Sequence, residues 1–160
     1  MTDCLLTAHR EKFLLRVDFD GPGGPLGSLE STLAVRGPEF LVKDASGAER
    51  FTAAHRSGLG LRVEFREGGL PVAVLRSSFF NLVNPRARIE GVAGGPWSVW
   101  KDFANNAVEF RIDGREILAM GAGTTTRGWN RTTEVRPVRI DPAADPLLAL
   151  ALATVVLHYV

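Results

Sequence analysis

Apolar and polar positions alternate along most of this chain, and the alternation is interrupted where Gly, Pro, Asn or Asp cluster. Phe13, Leu15, Val17 and Phe19 share one parity against Arg16 and Asp18, which predicts a half-buried strand over 13–19. Gly21-Pro22-Gly23-Gly24-Pro25 then reads as a long loop, because that run suits neither helix nor central strand. Leu29 to Val35 is the next strand, with Leu29, Leu33 and Val35 apolar and Ser31 at a variant position. Phe40-Leu41-Val42-Lys43 and Phe51 to Ala53 pair across the turn residues Asp44-Ala45-Ser46-Gly47. Leu61, Val63 and Phe65 alternate with Arg62, Glu64 and Arg66, turn at Glu67-Gly68-Gly69, and return over Leu70 to Leu75. Pro71 falls near the start of that return, where a strand tolerates it. Phe79 to Leu82 is a further strand, Asn84-Pro85 turns into Ala87-Arg88-Ile89, and Gly94-Gly95-Pro96 turns into Trp97 to Val99 or Trp100.

The clearest hairpin is 107–120. Val108, Phe110 and Ile112 oppose Glu109 and Arg111, and Ile117 to Met120 runs back. Asp113-Gly114 between them suits a two-residue turn with positive φ at both positions. Gly121 to Gly128 reads as a Gly/Thr loop. Thr133 to Ile140 is the last strand, bent at Pro137, since Val135, Val138 and Ile140 break alternation by one residue as a bulge would.

After Asp145 the period changes. Pro146 to Val160 is Leu- and Ala-rich, and only Thr154, His158 and the Tyr159 hydroxyl bring polar side-chain atoms to it. Asp145 is a good N-cap and Pro146 fits the first helical position. A helix apolar on every side must be enclosed by protein or lipid. Fifteen helical residues rise about 22 Å, whereas a bilayer span takes about 20 apolar residues. A tail anchor is therefore the lesser reading and a buried core helix the greater. Roughly ten to twelve short strands with frequent turns imply a sandwich or a barrel, and a closed barrel has room for a helix. The expected fold is mainly β: one domain over 1–160, a closed antiparallel barrel of about twelve strands around the buried helix 146–160.

The strand pattern partly repeats. Val63-Glu64-Phe65-Arg66 recurs as Val108-Glu109-Phe110-Arg111, with Gly69 matching Gly114, and Val72 and Leu75 matching Ile117 and Met120. Phe40-Leu41-Val42-Lys43-Asp44-Ala45-Ser46-Gly47, then 108–119, then Ile140-Asp141-Pro142 and Asp145-Pro146-Leu147-Leu148-Ala149-Leu150-Ala151 follow one another in order. In that order they resemble the tubby C-terminal-domain superfamily, on the branch of LURP-one-related proteins and phospholipid scramblases. The resemblance covers about residues 36–160. It implies a twelve-stranded antiparallel barrel threaded by the C-terminal helix. It also implies a non-enzymatic module that binds anionic phospholipid surfaces or serves as a scaffold. Two departures limit it: no Lys/Arg motif matches the phosphoinositide site of tubby proteins, and no Asp-rich Ca²⁺ segment precedes the helix. Asp141 and Asp145 are the only acidic residues in 135–146, too few for a Ca²⁺ ion that takes six to eight oxygens.

Composition narrows the chemistry. The net charge is +1, so no global field draws in nucleic acid. Cys4 is the single cysteine, which excludes an internal disulfide. Met1-Thr2-Asp3-Cys4 does not open a secretory signal, and a cytoplasmic location, peripheral at a membrane if lipid is bound, is the expectation. His9, His55 and His158 lie far apart, no Gly-x-Ser-x-Gly elbow occurs, and 21–27 lacks the Lys-Ser/Thr of a phosphate-binding loop. Asp18-Phe19-Asp20-Gly21 lacks the later ligands of a Ca²⁺ loop. No catalytic, metal or cofactor constellation emerges. Gly121-Ala122-Gly123-Thr124-Thr125-Thr126-Arg127 is a weak phosphate cradle, more simply a flexible loop. The candidate anion or lipid contacts are Arg86 and Arg88 on one strand, Arg131, Arg136 and Arg139 on another, and Arg127. Trp97, Trp100 and Trp129 are interface anchors or barrel-end plugs. The expected partner is anionic phospholipid or another protein. The rival reading is a small-molecule-binding protein or enzyme with a pocket at one barrel end, near Trp129 and 121–128.

Overall fold

The computed structural model describes residues 1–34, 37–56, 60–77 and 87–160. Its strands begin with β1 (Thr2–Glu11), β2 (Leu14–Gly21), β3 (Gly24–Ala34), β4 (Gly37–Asp44) and β5 (Glu49–His55). They continue with β6 (Leu61–Glu67), β7 (Leu70–Ser77), β8 (Ala87–Glu90) and β9 (Trp97–Asp102). The last are β10 (Ala107–Ile112), β11 (Arg115–Met120), β12 (Thr124–Arg127) and β13 (Thr132–Ile140), followed by α1 (Pro146–Tyr159). Each strand from β1 to β11 bonds antiparallel to the next, and β13 closes the sheet by pairing with both β1 and β11. The result is a closed twelve-stranded barrel around one helix, as the strand pattern and the apolar terminal run predict. β12 is additional. β11 bonds β13 from Leu118↔Ile140 to Met120↔Val138, and β12 takes over from Thr124↔Val135 to Arg127↔Thr132. The two share one place in the wall, end to end.

α1 fills the interior. Leu147 to Leu157 is buried without a break, and the helix comes nearest to β2, β3 and β10. Around it the wall turns Phe19, Phe51, Phe65 and Phe110 inward, all fully buried. Thr154 is satisfied within the helix, its Oγ1 donating to Leu150 O at 2.8 Å. Asp145 caps the start: its Oδ1 accepts from the Leu147 and Leu148 N–H groups at 3.0 and 3.2 Å. Gly27 sets how close that first turn approaches. A Cβ there would lie 2.1 Å from Lys43 O and 2.9 Å from Leu147 Cδ1. No helix among the described residues is long and apolar enough to cross a membrane. Because strands enclose α1, the tail-anchor reading is set aside.

The repeated sequence is a repeated structure. β6–β7 and β10–β11 shift register at the same point, Phe65/Arg66 and Phe110/Arg111. Their turns match as well: Gly68 and Gly69 have φ 58° and 82°, Asp113 and Gly114 have 46° and 79°. β2–β3 and β4–β5 shift likewise, at Phe19/Asp20 and Val42/Lys43. In an antiparallel meander all four of these turns fall at one end, the end where α1 begins.

Four sequence expectations are corrected. Phe13 is not in the strand: Lys12, at φ 50°, turns the chain, β2 starts at Leu14, and Phe13 sits exposed at the tip. The long loop over 21–25 shrinks to a turn at Pro22-Gly23, because Asp20↔Pro25 and Gly21↔Gly24 pair across the hairpin end. A proline at a hairpin end loses little by lacking its N–H. The 121–128 loop contains β12. The bulge at Pro137 is absent: β13 keeps unbroken register with β1 from Thr2↔Ile140 to Arg10↔Thr132. The inward position between Glu134 and Val138 is taken by Arg136, while Val135 faces out. Phe79 to Leu82, Asn84-Pro85 and Val35 lie outside the described residues.

Core substitutions test the filled barrel. Leu150→Ala is expected to lower unfolding free energy by about 2–5 kcal/mol in urea titrations. Leu150→Asp, which buries an unpaired charge, is expected to leave no cooperative transition. Gly27→Ala is expected to lose about 1–3 kcal/mol, since neither Lys43 O nor the helix start can withdraw easily. A Gly27→Ala protein as stable as the parent would mean that the helix start is not seated against β3 and β4.

Candidate functional site

The two barrel ends differ. At the end where α1 begins, carboxylates and guanidiniums pair off. Arg50 bonds Glu67 through Nε at 2.8 Å and Asp145 through Nη2 at 3.0 Å. Arg115 Nη1 reaches Asp141 Oδ2 at 2.8 Å, and Asp141 Oδ1 accepts from the Ala143 N–H at 2.9 Å. Asp141 and Asp145 are thus engaged as a turn residue and an N-cap. Among the described residues no group of three or more His, Cys, Asp or Glu is placed to hold a metal ion.

At the other end the inward positions change character. Along β1 they run Cys4, Leu6, Ala8, then Arg10; along β13 they run Ile140, Val138, Arg136, Glu134, then Thr132. The apolar rod stops here, so wall positions beyond it face water and become polar. Lys101, at the end of β9, closes the helix. Its Nζ donates to Val156 O, Leu157 O and Val160 O at 3.3, 3.0 and 2.8 Å, at the helix end where carbonyls run out of N–H partners; Val156 O also accepts from the Val160 N–H at 3.3 Å. Burial and neighbouring Arg136 hold the Lys101 ammonium below its ordinary pKa. Tyr159 ties the same turn to the wall, its hydroxyl 3.0 Å from Ser31 Oγ and its ring edge-on to Phe40 at 5.1 Å between centroids.

Arg136 seals the seam where β11 hands over to β12. Its side chain is only 2% exposed as a residue. Nη1 donates to Asn106 O at 2.7 Å and Gly121 O at 3.0 Å, and Nη2 pairs with Glu134. Pro137, which has no N–H, accepts from Gly121 N at 3.0 Å. Gly123 lies against this pair, so closely that a Cβ would come within 2.8 Å of Arg136 Cγ.

Above the seam opens a pocket of about 520 Å³. Its floor is Ala8, Leu15 and Leu157; its rim is Arg10, Asn106, Thr125, Arg127 and Thr132, with His158 and Glu134 between. Volumes of this order hold small molecules. The register explains the rim. Arg10 pairs with Thr132 and Thr132 with Arg127, so the two guanidiniums flank one hydroxyl-bearing residue across three strands. In the next inward row, Ala8, Glu134 and Thr125 are aligned in the same way. Among the described residues neither Arg10 nor Arg127 has a carboxylate within 4.0 Å. His158 Nδ1 accepts from Arg10 Nη2 at 2.9 Å. Burial first, and then Arg10, Arg136 and Lys101, push its imidazole down to about 4. The ring is therefore neutral at pH 7, and the proton sits on Nε2, which is buried without an acceptor.

The three turns around this pocket carry exposed apolar side chains. Phe13 and Leu14 cap the β1–β2 turn, Phe103 the β9–β10 turn and Trp129 the β12–β13 turn; the aromatics are 77%, 60% and 92% exposed. Lys101 Nζ lies 5.2 Å from the Phe103 ring centroid, which fixes that ring beside the helix end.

Of the arginines singled out in the sequence, Arg127 lines the pocket and Arg131 adjoins it in the β12–β13 turn. Arg136 lies beneath, buried. Arg139 faces outward at 3.3 Å from Glu116. Arg88 is exposed on β8, which bonds β7 and β9 and is separated from β13 by β9, β10 and β11, so these two groups form no common patch. Arg86 lies outside the described residues. Trp97 is buried against Phe110 and Trp100 is on the outer wall. Cys4 is buried, and burial raises its thiol pKa. Sequence reading missed Arg10, Lys101 and the tips Phe13 and Phe103. Only the parity of Arg10 with Leu6 and Ala8 hints that it turns inward. No protein-family model, curated protein or solved structure matches this chain.

His158 makes stability pH-dependent. Its folded value of about 4 lies below the unfolded value near 6.5. Between the two, the unfolded chain binds the extra proton, so stability falls as pH drops through that window. The expected loss from this group is roughly 2–3 kcal/mol between pH 7 and pH 4.5. Urea unfolding of the parent and His158→Gln at both pH values checks it. Equal losses in the two proteins would reject the assignment.

Proposed function

We propose that this barrel is a non-enzymatic, tubby-like module that docks on anionic phospholipid surfaces with the end at which α1 terminates. The observation that supports this most is the grouping of Phe13, Leu14, Phe103 and Trp129, all exposed, on three turns around one mouth. Exposed apolar clusters of this kind are unfavourable in water and mark contact surfaces. Aromatic rings favour the headgroup region of a bilayer. The charges beside them have the sign an anionic surface requires. Around these three turns Arg10, Lys12, Arg127 and Arg131 outnumber Glu11 and Asp102, while Lys101 is bound to the helix end and Arg136 is buried against Glu134. The Asp102 carboxylate is also occupied by the Ala104 and Asn105 N–H groups of its own turn. The closed wall keeps the three tips in fixed relation, so they meet a flat surface together.

Vesicle co-sedimentation tests the reading. Binding to vesicles containing phosphatidylserine is expected to exceed binding to pure phosphatidylcholine and to weaken with salt. Trp129→Ser and Phe103→Ser should each weaken it. Arg131→Gln should cost about 1 kcal/mol, roughly a fivefold loss. Equal association with neutral and anionic vesicles, or tip variants that bind like the parent, would sink the proposal.

A further inference from the structure

The pocket within that end asks for a ligand of its own. Arg10 and Arg127 converge on it with no carboxylate against either among the described residues, whereas at the opposite mouth Arg50 and Arg115 are both paired. Glu134, the one acid in the lining, is already taken by Arg136. Two like charges flanking Thr132 across adjacent strands repel each other, with Cα atoms about 10 Å apart by ordinary strand spacing. An anion between them relieves that repulsion.

The chemistry of the rim selects the anion. Arg10 spends Nη2 on His158, which holds the guanidinium plane and leaves Nε and Nη1 without a protein partner among the described residues. Nη2 keeps a second hydrogen, which pairs with Nε–H or with Nη1–H along one edge of the guanidinium and leaves a two-pronged edge suited to two oxygens of one group. Arg127 offers a second fork from the opposite side, and Thr125 and Thr132 offer hydroxyls between them. A tetrahedral phosphate presents oxygens in several directions at once; a planar carboxylate does not. The apolar floor of Ala8, Leu15 and Leu157 suits the hydrocarbon to which such a phosphate is attached.

We propose that the mouth between β1, β12 and β13 binds the phosphate of a phosphate ester, clasped by Arg10 and Arg127 over Thr132. This deepens the membrane-docking reading and rests on it for where the ligand arrives. The same chemistry describes a phospholipid headgroup and a free organic phosphate, and the test separates them.

Titration calorimetry of the full chain with glycerol 3-phosphate, against glycerol, is the first arm. Saturable binding of the ester and none of glycerol is expected, with at least a tenfold loss in Arg127→Gln and in Arg10→Gln. Both positions are exposed, and thermal melts confirm that each variant stays folded. The second arm compares vesicles of phosphatidic acid with vesicles of phosphatidylglycerol matched in surface charge. If Arg127→Gln weakens binding to the first several-fold more than to the second, the site takes a headgroup. If it abolishes glycerol 3-phosphate binding and leaves both vesicles unaffected, the site takes a free phosphate ester. Glycerol 3-phosphate binding no better than glycerol, together with equal effects of Arg127→Gln on both vesicles, overturns the phosphate site. The docking reading fails separately, if the ester binds but Trp129→Ser changes no vesicle association.

Discussion

An apolar helix with no polar side has to be surrounded on all sides, and every other feature of this fold follows from how that is done. A sheet closed on itself at twelve strands leaves an interior too wide for wall side chains alone. α1 occupies it, and Phe19, Phe51, Phe65 and Phe110 fill the space between rod and wall. The dependence runs both ways. Without the helix the wall has a void along its axis; without the wall the helix exposes leucines in every direction. Neither half has a stable state of its own, which is why the terminal run belongs to the core.

Enclosing a helix creates a second problem at its ends, where backbone groups lose their partners as they leave the axis. The barrel meets it differently at each end. The first turn is satisfied locally by the Asp145 carboxylate, held in turn by Arg50. The last turn has one local donor, the Val160 N–H on Val156 O, and borrows Lys101 from the wall for the rest. That one long-range contact brings a buried cation to the mouth, and Arg136 brings another. Both lower the His158 pKa after burial itself has done so. The electrostatics of the pocket are thus a consequence of finishing the helix.

Much of this was legible in the sequence, and three of the four misread stretches share a cause. Hairpins with Gly-Gly or Asp-Gly turns declared themselves, and the recurrence of Val63 to Arg66 in Val108 to Arg111 proved to be a recurrence of register shift and turn geometry. The rod was evident from composition alone. Alternation misled wherever a residue inside the barrel was polar or one outside was apolar. Arg136 occupies an inward position that hydrophobicity assigned to Val135, and a bulge was inferred to rescue the pattern. Phe13 kept the parity of β2 while lying on a turn tip. Thr124 to Arg127 looked like loop because a strand with both faces near solvent has no apolar parity to read. These three errors fall at the same mouth, where the rule that inside means apolar ceases to hold. The site arginines fared likewise: spacing on a strand gives parity but not which strands adjoin, so Arg88 and Arg139 were grouped across a wall that separates them.

The asymmetry of the ends is the last step. One mouth has Arg50 and Arg115 matched to carboxylates, and four of its turns follow a register shift in their hairpins. The other leaves Arg10 and Arg127 facing a cavity, sets a neutral histidine beside them and raises aromatic side chains on three turns. A barrel stabilised by its helix has no structural need for exposed Phe103 or Trp129, nor for two arginines set across Thr132 without a counter-charge. Such features are unfavourable in the isolated protein, and that is the ground on which a docking surface is proposed at this end. Function is therefore sought where the fold stops satisfying itself, and in this chain that is one end of one barrel.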